Sequence, residues 1–157
     1  MRIAASLLVL GLIVLTAARC DGGSPCGTCP KVEGTYALTY KAASSESPDC
    51  ASIPAPPGPA RLEITRAGAV LRASLNGAPG QGLLQETLDF SISAVEEPDG
   101  GTDGGSQQTV MLRGYFVAPV VKGDGGEPGA LIGKWVTHTE RGAKFCDAER
   151  QATGVKQ

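Results

Sequence analysis

Over residues 61–95 apolar side chains occupy every second position and polar ones fill the gaps, the period of a strand with one buried and one wet face. Leu62 and Ile64 alternate with Arg61, Glu63 and Thr65, and after Ala67-Gly68 the order resumes as Leu71, Ala73 and Leu75 against Arg72, Ser74 and Asn76. Leu88, Phe90, Ile92 and Ala94 then alternate with Thr87, Asp89, Ser91 and Ser93. The pattern is present upstream over 34–40, with Tyr36, Leu38 and Tyr40 on one face. Downstream, over 109–121, Val110, Leu112 and Phe116 oppose Met111, Arg113 and Tyr115. A last hairpin sets Leu131, Gly133, Trp135, Thr137 and Thr139 against Lys134, Val136 and His138, and turns at Arg141-Gly142 into 143–155.

One polar face per strand points to antiparallel pairing. Seven or eight such strands on short turns, with no helix after the N-terminal segment, predict an all-β fold. An up-and-down barrel fits best, with a β-sandwich as the alternative, because unpaired edges invite aggregation. Breaks in the pattern mark the connections. Residues 44–59 contain Pro54-Ala55-Pro56-Pro57-Gly58-Pro59, which cannot donate to a ladder and reads as a stiff surface loop. Asn76-Gly77-Ala78-Pro79-Gly80 reads as a turn, and 96–106 and 122–129 as long acidic, glycine-rich loops.

At 157 residues the chain is one domain, placed at 32–157. Aromatic residues make up only 4%, so the core is built mainly from Leu, Val, Ile and Ala, and covalent cross-links gain importance. A net charge of −2 with scattered basic residues argues against a nucleic-acid partner.

The first residues change the picture of where the protein works. Met1-Arg2 and an apolar run over 3–15 have the length of a secretory signal, short for a spanning helix, so 1–19 reads as a helical signal segment. Thr16, Ala17, Ala18, Arg19 and Cys20, followed by Asp21-Gly22-Gly23-Ser24, resemble a bacterial lipoprotein signal, with Arg19 standing where a small residue is usual. The resemblance implies acylation of Cys20, a membrane anchor in the cell envelope and a flexible tether over 20–31. The alternative is cleavage after Ala18 to give a secreted or periplasmic soluble protein.

With Cys20 acylated, Cys26, Cys29, Cys50 and Cys146 form an even set able to make two disulfides in an oxidising compartment. In an eight-stranded meander the start of the last strand lies beside the loop after the first, which favours Cys50 with Cys146 and Cys26 with Cys29. Seven strands would bring Cys146 nearer Cys26 and Cys29. Cys26-Gly27-Thr28-Cys29 could be a redox pair, but a thioredoxin-type site needs a strand before it and a helix after it, and neither is expected here. Zinc usually takes a second close-spaced pair, which Cys50 and Cys146 do not form.

Other chemistry is thin. Asp99, Asp103, Asp124 and Glu127 lie in glycine-rich loops but lack the ligand spacing of an EF-hand. His138, the only histidine, shares a strand face with Glu140 but has no activated nucleophile in view. Glu63, Glu86, Glu96, Glu97, Glu140 and Glu149 fall on polar faces or loops, so no carboxylate pair for glycoside chemistry emerges. Neither metal nor cofactor is expected, and the protein reads as a non-enzyme.

Gly34-x-Tyr36 in the first strand and Arg150 in the last resemble the Gly-x-Trp and terminal Arg of lipocalin-like barrels, with Tyr in place of Trp. That resemblance implies an Arg packed over the aromatic at the closed end and an interior able to hold a small apolar ligand, with Tyr36, Phe90 and Trp135 as lining residues. The expected function is therefore an anchored envelope binding module for a small apolar ligand or a protein partner. A purely structural envelope protein is the alternative, and a thiol-disulfide oxidoreductase a more distant one.

Overall fold

A computed structural model describes residues 24–96, 107–118, 126 and 128–157. The signal segment, Arg19, Cys20, Glu97, Asp99, Asp103, Asp124 and Glu127 lie outside them. Among the described residues eight strands form one closed antiparallel barrel: β1 (Gly34–Glu46), β2 (Arg61–Ala67), β3 (Val70–Leu75), β4 (Ala78–Leu84), β5 (Asp89–Glu96), β6 (Gln107–Phe116), β7 (Ala130–Arg141) and β8 (Lys144–Lys156). Each strand pairs with the next, and β8 returns to β1 with Tyr36 opposite Lys156. This closing pair rules out the sandwich, whose two sheets would each keep free edges, and leaves no open edge to protect.

Alternation decides which side of the wall each residue takes. Leu62, Ile64, Leu71, Leu75, Ile92, Leu112 and Leu131 point inward and are essentially inaccessible, while Glu63, Arg72, Ser91, Ser93 and Arg113 point out. An apolar lumen inside a polar wall is the reverse of the pattern in a membrane-spanning barrel. No helix among the described residues is long and apolar enough to cross a membrane. Inward Thr137 and Thr139 are buried with partners: Thr137 Oγ1 donates to the Ala148 carbonyl, and Gln108 Nε2 donates to Thr139 Oγ1.

Several stretches depart from the sequence reading: Thr87 and Leu88, expected in the strand, lie in the turn before β5, Leu88 with positive φ. Of residues 76–80 only Asn76-Gly77 is turn, both residues having positive φ as a two-residue hairpin loop requires, and Ala78 already begins β4. Pro79 fits there because its ring faces solvent at the start of the strand. Gly80 fits because a side chain would press on Ile92 and Leu75 inside. The first strand also continues past 40 to Glu46, through register shifts against β8 between Tyr40 and Ser45 that let it bend.

Both mouths of the barrel are covered. At the end where β1 begins, Pro25 bridges to Gln85, the Cys26 amide donates to the Leu84 carbonyl, and Cys26 and Val32 are buried. Cys26 is joined to Cys29 with a Cα separation of 5.6 Å. Residues 24–31, expected as part of a tether, therefore lie against the barrel. At the other end the proline-rich loop folds over the opening. Its Pro56, Pro57 and Pro59 carbonyls accept bonds from Trp135 Nε1, Asn76 Nδ2 and Tyr40 Oη, and Ile53 is buried beneath it. Gly58 is needed where it stands, since a Cβ would overlap the Tyr40 ring. Cys50, in a short 3-10 turn at Pro48–Ala51, is joined to Cys146 near the start of β8, as eight strands require.

The Cys50–Cys146 cross-link closes a loop with a sequence separation of 96. The Cys50→Ser/Cys146→Ser double variant is expected to lose about 4 to 5 kcal/mol of unfolding free energy in the chain-entropy model. Equilibrium denaturation under non-reducing conditions checks this, and a midpoint equal to the parent's would refute it.

Candidate functional site

The residues expected to line a ligand cavity sit in the packed core. Tyr36 is inaccessible, Trp135 is 1% exposed and Phe90 is 4% exposed. Phe116 lies between two of them, its ring centroid 4.7 Å from Phe90 and 5.8 Å from Tyr36, while Tyr40 meets Trp135 edge-on at 6.3 Å. Such aromatic contacts contribute about 0.5–1.5 kcal/mol each beyond area burial. Polar ends are also used internally: Tyr36 Oη donates to the Val32 carbonyl at 2.7 Å, and the Trp135 indole reaches the Pro56 carbonyl at 3.4 Å. Burial at Tyr40, whose hydroxyl binds the Pro59 carbonyl, pushes its pKa well above the ordinary tyrosine value. The lumen is filled by the protein's own side chains, as an eight-stranded barrel permits.

Tyr36 and Arg150, the pair behind the lipocalin-like resemblance, are not brought together. Arg150 stands opposite Trp135 and Ala43, whereas Tyr36 stands opposite Lys156, six positions along β8. At strand rise that is about 20 Å.

A hollow of about 540 Å³ lies on the outer wall across β6, β7 and β8, lined by neither Tyr36, Phe90 nor Trp135. Gly114 of β6 is the register partner of Gly133 of β7, and Gly133 in turn is the partner of Ala152 of β8, so one level of the wall sends almost nothing into the lumen. The strands approach closely there: a Cβ on Gly114 would fall 2.1 Å from the Ile132 carbonyl oxygen, and one on Gly133 2.4 Å from that of Arg113. Glycine permits this close backbone approach, and the hollow lies over the level where it occurs. Alternation along the sequence puts Gly133 on the inward face. The available signal was a glycine at an inward position of each of two neighbouring strands.

The borders of the hollow differ. Tyr115 and Ile132, direct cross-strand neighbours that are 45% and 41% exposed, form one edge. Arg113 and Lys134, also direct neighbours, form the other. Glu149 holds both cations, at 2.7 Å from Lys134 Nζ and 3.4 Å from Arg113, and its hydrogen bond with Lys134 keeps its carboxyl below the usual range. A second outer-wall hollow, about 530 Å³ across β2–β4, is bordered by Glu63, Thr65, Arg72 and Gln81 and has no aromatic wall.

No family model, no curated protein and no solved structure matches this chain. What the site can do therefore rests on its own geometry. Among the described residues no group of His, Cys, Asp and Glu is arranged to hold a metal ion. Cys26 and Cys29 cover a barrel mouth and do not open a helix.

His138 and Glu140 meet as the shared face requires, and a third group joins them from the next strand. Nε2 lies 2.9 Å from Glu140 Oε1 and Nδ1 lies 2.5 Å from Asp147 Oδ1, while the ring stacks on Phe145. With a carboxylate on each nitrogen the imidazolium, a donor at both, is favoured, so Glu140 first and Asp147 next raise the pKa above 6.5. Both ring nitrogens are occupied and no nucleophile is bonded to them, which makes this an ion-paired clasp between β7 and β8.

Because the folded pKa is raised, the clasp's stabilisation is complete below about pH 6.5 and is lost as pH rises through the folded value. Half-exposed pairs are screened, so the effect is about 1 kcal/mol or less. The stability difference between parent and His138→Gln should shrink from pH 6 to pH 8. A difference that is constant across that range in urea unfolding would contradict the assignment.

Proposed function

We propose that the protein is exported, anchored through a lipid on Cys20, and acts in the bacterial envelope as a non-enzymatic binding module whose outer wall, and not its lumen, meets the ligand or partner. The observation that carries this reading is the closed interior: a lumen filled by Trp135, Tyr36, Phe116 and aliphatic side chains, with a chain segment across each mouth. Entry to such a lumen requires displacing a covering segment, which at the proline-rich mouth is cross-linked to β8, whereas the wall offers a preformed concavity.

Two paired disulfides support a compartment outside the reducing cytosol. Anchorage is supported by the N-terminal sequence and by parity, because with the other four cysteines paired Cys20 is the thiol left for acylation. The described chain begins at Ser24, four residues beyond Cys20, beside the β4–β5 turn where Glu86 N–H donates to the Ser24 carbonyl. An anchor at Cys20 would therefore hold this end of the barrel toward the membrane. A purely structural envelope role is the second reading, favoured by the same filled interior if the wall hollows stay empty.

Intact mass spectrometry of protein from its own host tests the proposal. The expected species begins at Cys20, carries the mass of acyl chains and has lost four hydrogen atoms to two disulfides. A chain retaining Met1, or an unmodified chain beginning at Arg19, would overturn the anchor.

A further inference from the structure

We propose that the hollow across β6, β7 and β8 binds a small ligand made of a flat apolar ring carrying one acidic group, an aryl carboxylate or sulfonate by chemical class; this rests on the outer wall being the protein's working face. The two edges of the hollow are chemically opposite and run parallel, one residue to either side of the Gly114–Gly133 level. Tyr115 and Ile132 offer an aromatic face and an aliphatic side chain at the apolar edge, and Arg113 and Lys134 offer cations at the other. Between them the floor is the backbone of Gly114, Gly133 and Ala152, with no outward side chain to hold a planar group away. A ring lying on that floor against Tyr115 would carry its acidic group onto the cationic edge.

The charges along the hollow are polarised in the same sense. Asp89 closes the β5 end and is already engaged by the Thr87 hydroxyl at 2.6 Å, while Lys41 of β1 closes the opposite end. Arg113 and Lys134 share the single carboxylate of Glu149, which orients both without satisfying two cations. Among the described residues Lys41 has no ion pair, so it is the cation most available to an incoming anion. A volume of about 540 Å³ falls within the range of small-molecule sites. Each feature excludes a competitor: the cations disfavour a neutral apolar ligand, and the apolar edge gives inorganic phosphate nothing to bury.

The probe is 1-anilinonaphthalene-8-sulfonate, titrated by fluorescence and by equilibrium dialysis against the mature chain carrying Cys20→Ser, which separates binding from anchorage. One molecule per chain is expected, with affinity falling as salt rises. Lys41→Glu and Tyr115→Ala should each weaken it about tenfold, equivalent to about 1.4 kcal/mol. Leu83→Ser and Phe145→Ser, which remove comparably exposed apolar groups elsewhere on the wall, should leave it unchanged. The proposal fails if the parent does not bind, if Leu83→Ser weakens binding as much as Tyr115→Ala, or if Lys41→Glu has no effect. It fails equally if neutral Nile red competes with full effect and independently of Lys41. All four substitutions are at exposed positions, so the fold is preserved in each arm.

Discussion

Filling the inside of a closed sheet is the constraint from which the other features follow. Closure pairs every strand with two neighbours, yet the enclosed volume must still be occupied, since voids forfeit dispersion contacts and leave apolar walls without partners. With one Trp, three Tyr and three Phe in the whole chain, large side chains are few. Trp135 fills the middle toward the proline-rich end, and Tyr36, Phe90 and Phe116 fill the end where β1 begins. Where large residues run out, at Gly114, Gly133 and Ala152, the strands leave no room for a side chain at the two glycines, and the outer hollow lies over that same level.

Sealing the two mouths is the second half of the same requirement. An apolar lumen open to water would expose Leu84 and Phe116 at one end and Trp135 at the other, and each end is instead covered by a segment that brings its own polar partners. At the proline-rich end prolines suit the task because they supply carbonyls without unsatisfied amides. Three of those carbonyls accept from side chains on β1, β7 and the β3–β4 turn. The Cys50–Cys146 disulfide ties the proline-rich cover to β8 in the unfolded chain as well as in the folded one, while Cys26–Cys29 stiffens the other cover locally.

This division explains what could be read from the chain alone. Strand identity, inward and outward faces and closure were legible because period-two alternation is local and strong in 61–75, 88–95 and 109–116. β4 was obscured because Pro79, Gly80 and Gly82 lack the β-forming side chains that mark a strand, and its pairing is imposed by the neighbours β3 and β5. The roles of 24–31 and of the proline-rich loop were not legible, since both are defined by contacts with residues distant in sequence, such as Cys26 with Leu84 and Pro56 with Trp135. For the site, alternation placed Tyr115 and Arg113 on the outer face and Gly133 on the inner. Only the register of β6 against β7 puts Gly114 level with Gly133 and so turns a row of outward residues into a concavity.

Inside and outside are therefore coupled through a wall one residue thick. Inward residues decide where the wall bends, and outward residues decide what chemistry the bend presents, so the two sets can change almost independently. Replacing Tyr115 or Lys41 alters an edge of the hollow and leaves the packed lumen intact. A side chain at Gly114 or Gly133 would meet the backbone of Ile132 or Arg113 on the neighbouring strand and force β6 and β7 apart, changing the shape of the hollow while leaving the identity of its border side chains unchanged. With the interior closed, the surface this barrel presents is its wall, where glycine placement sets shape and the alternate residues set charge and polarity.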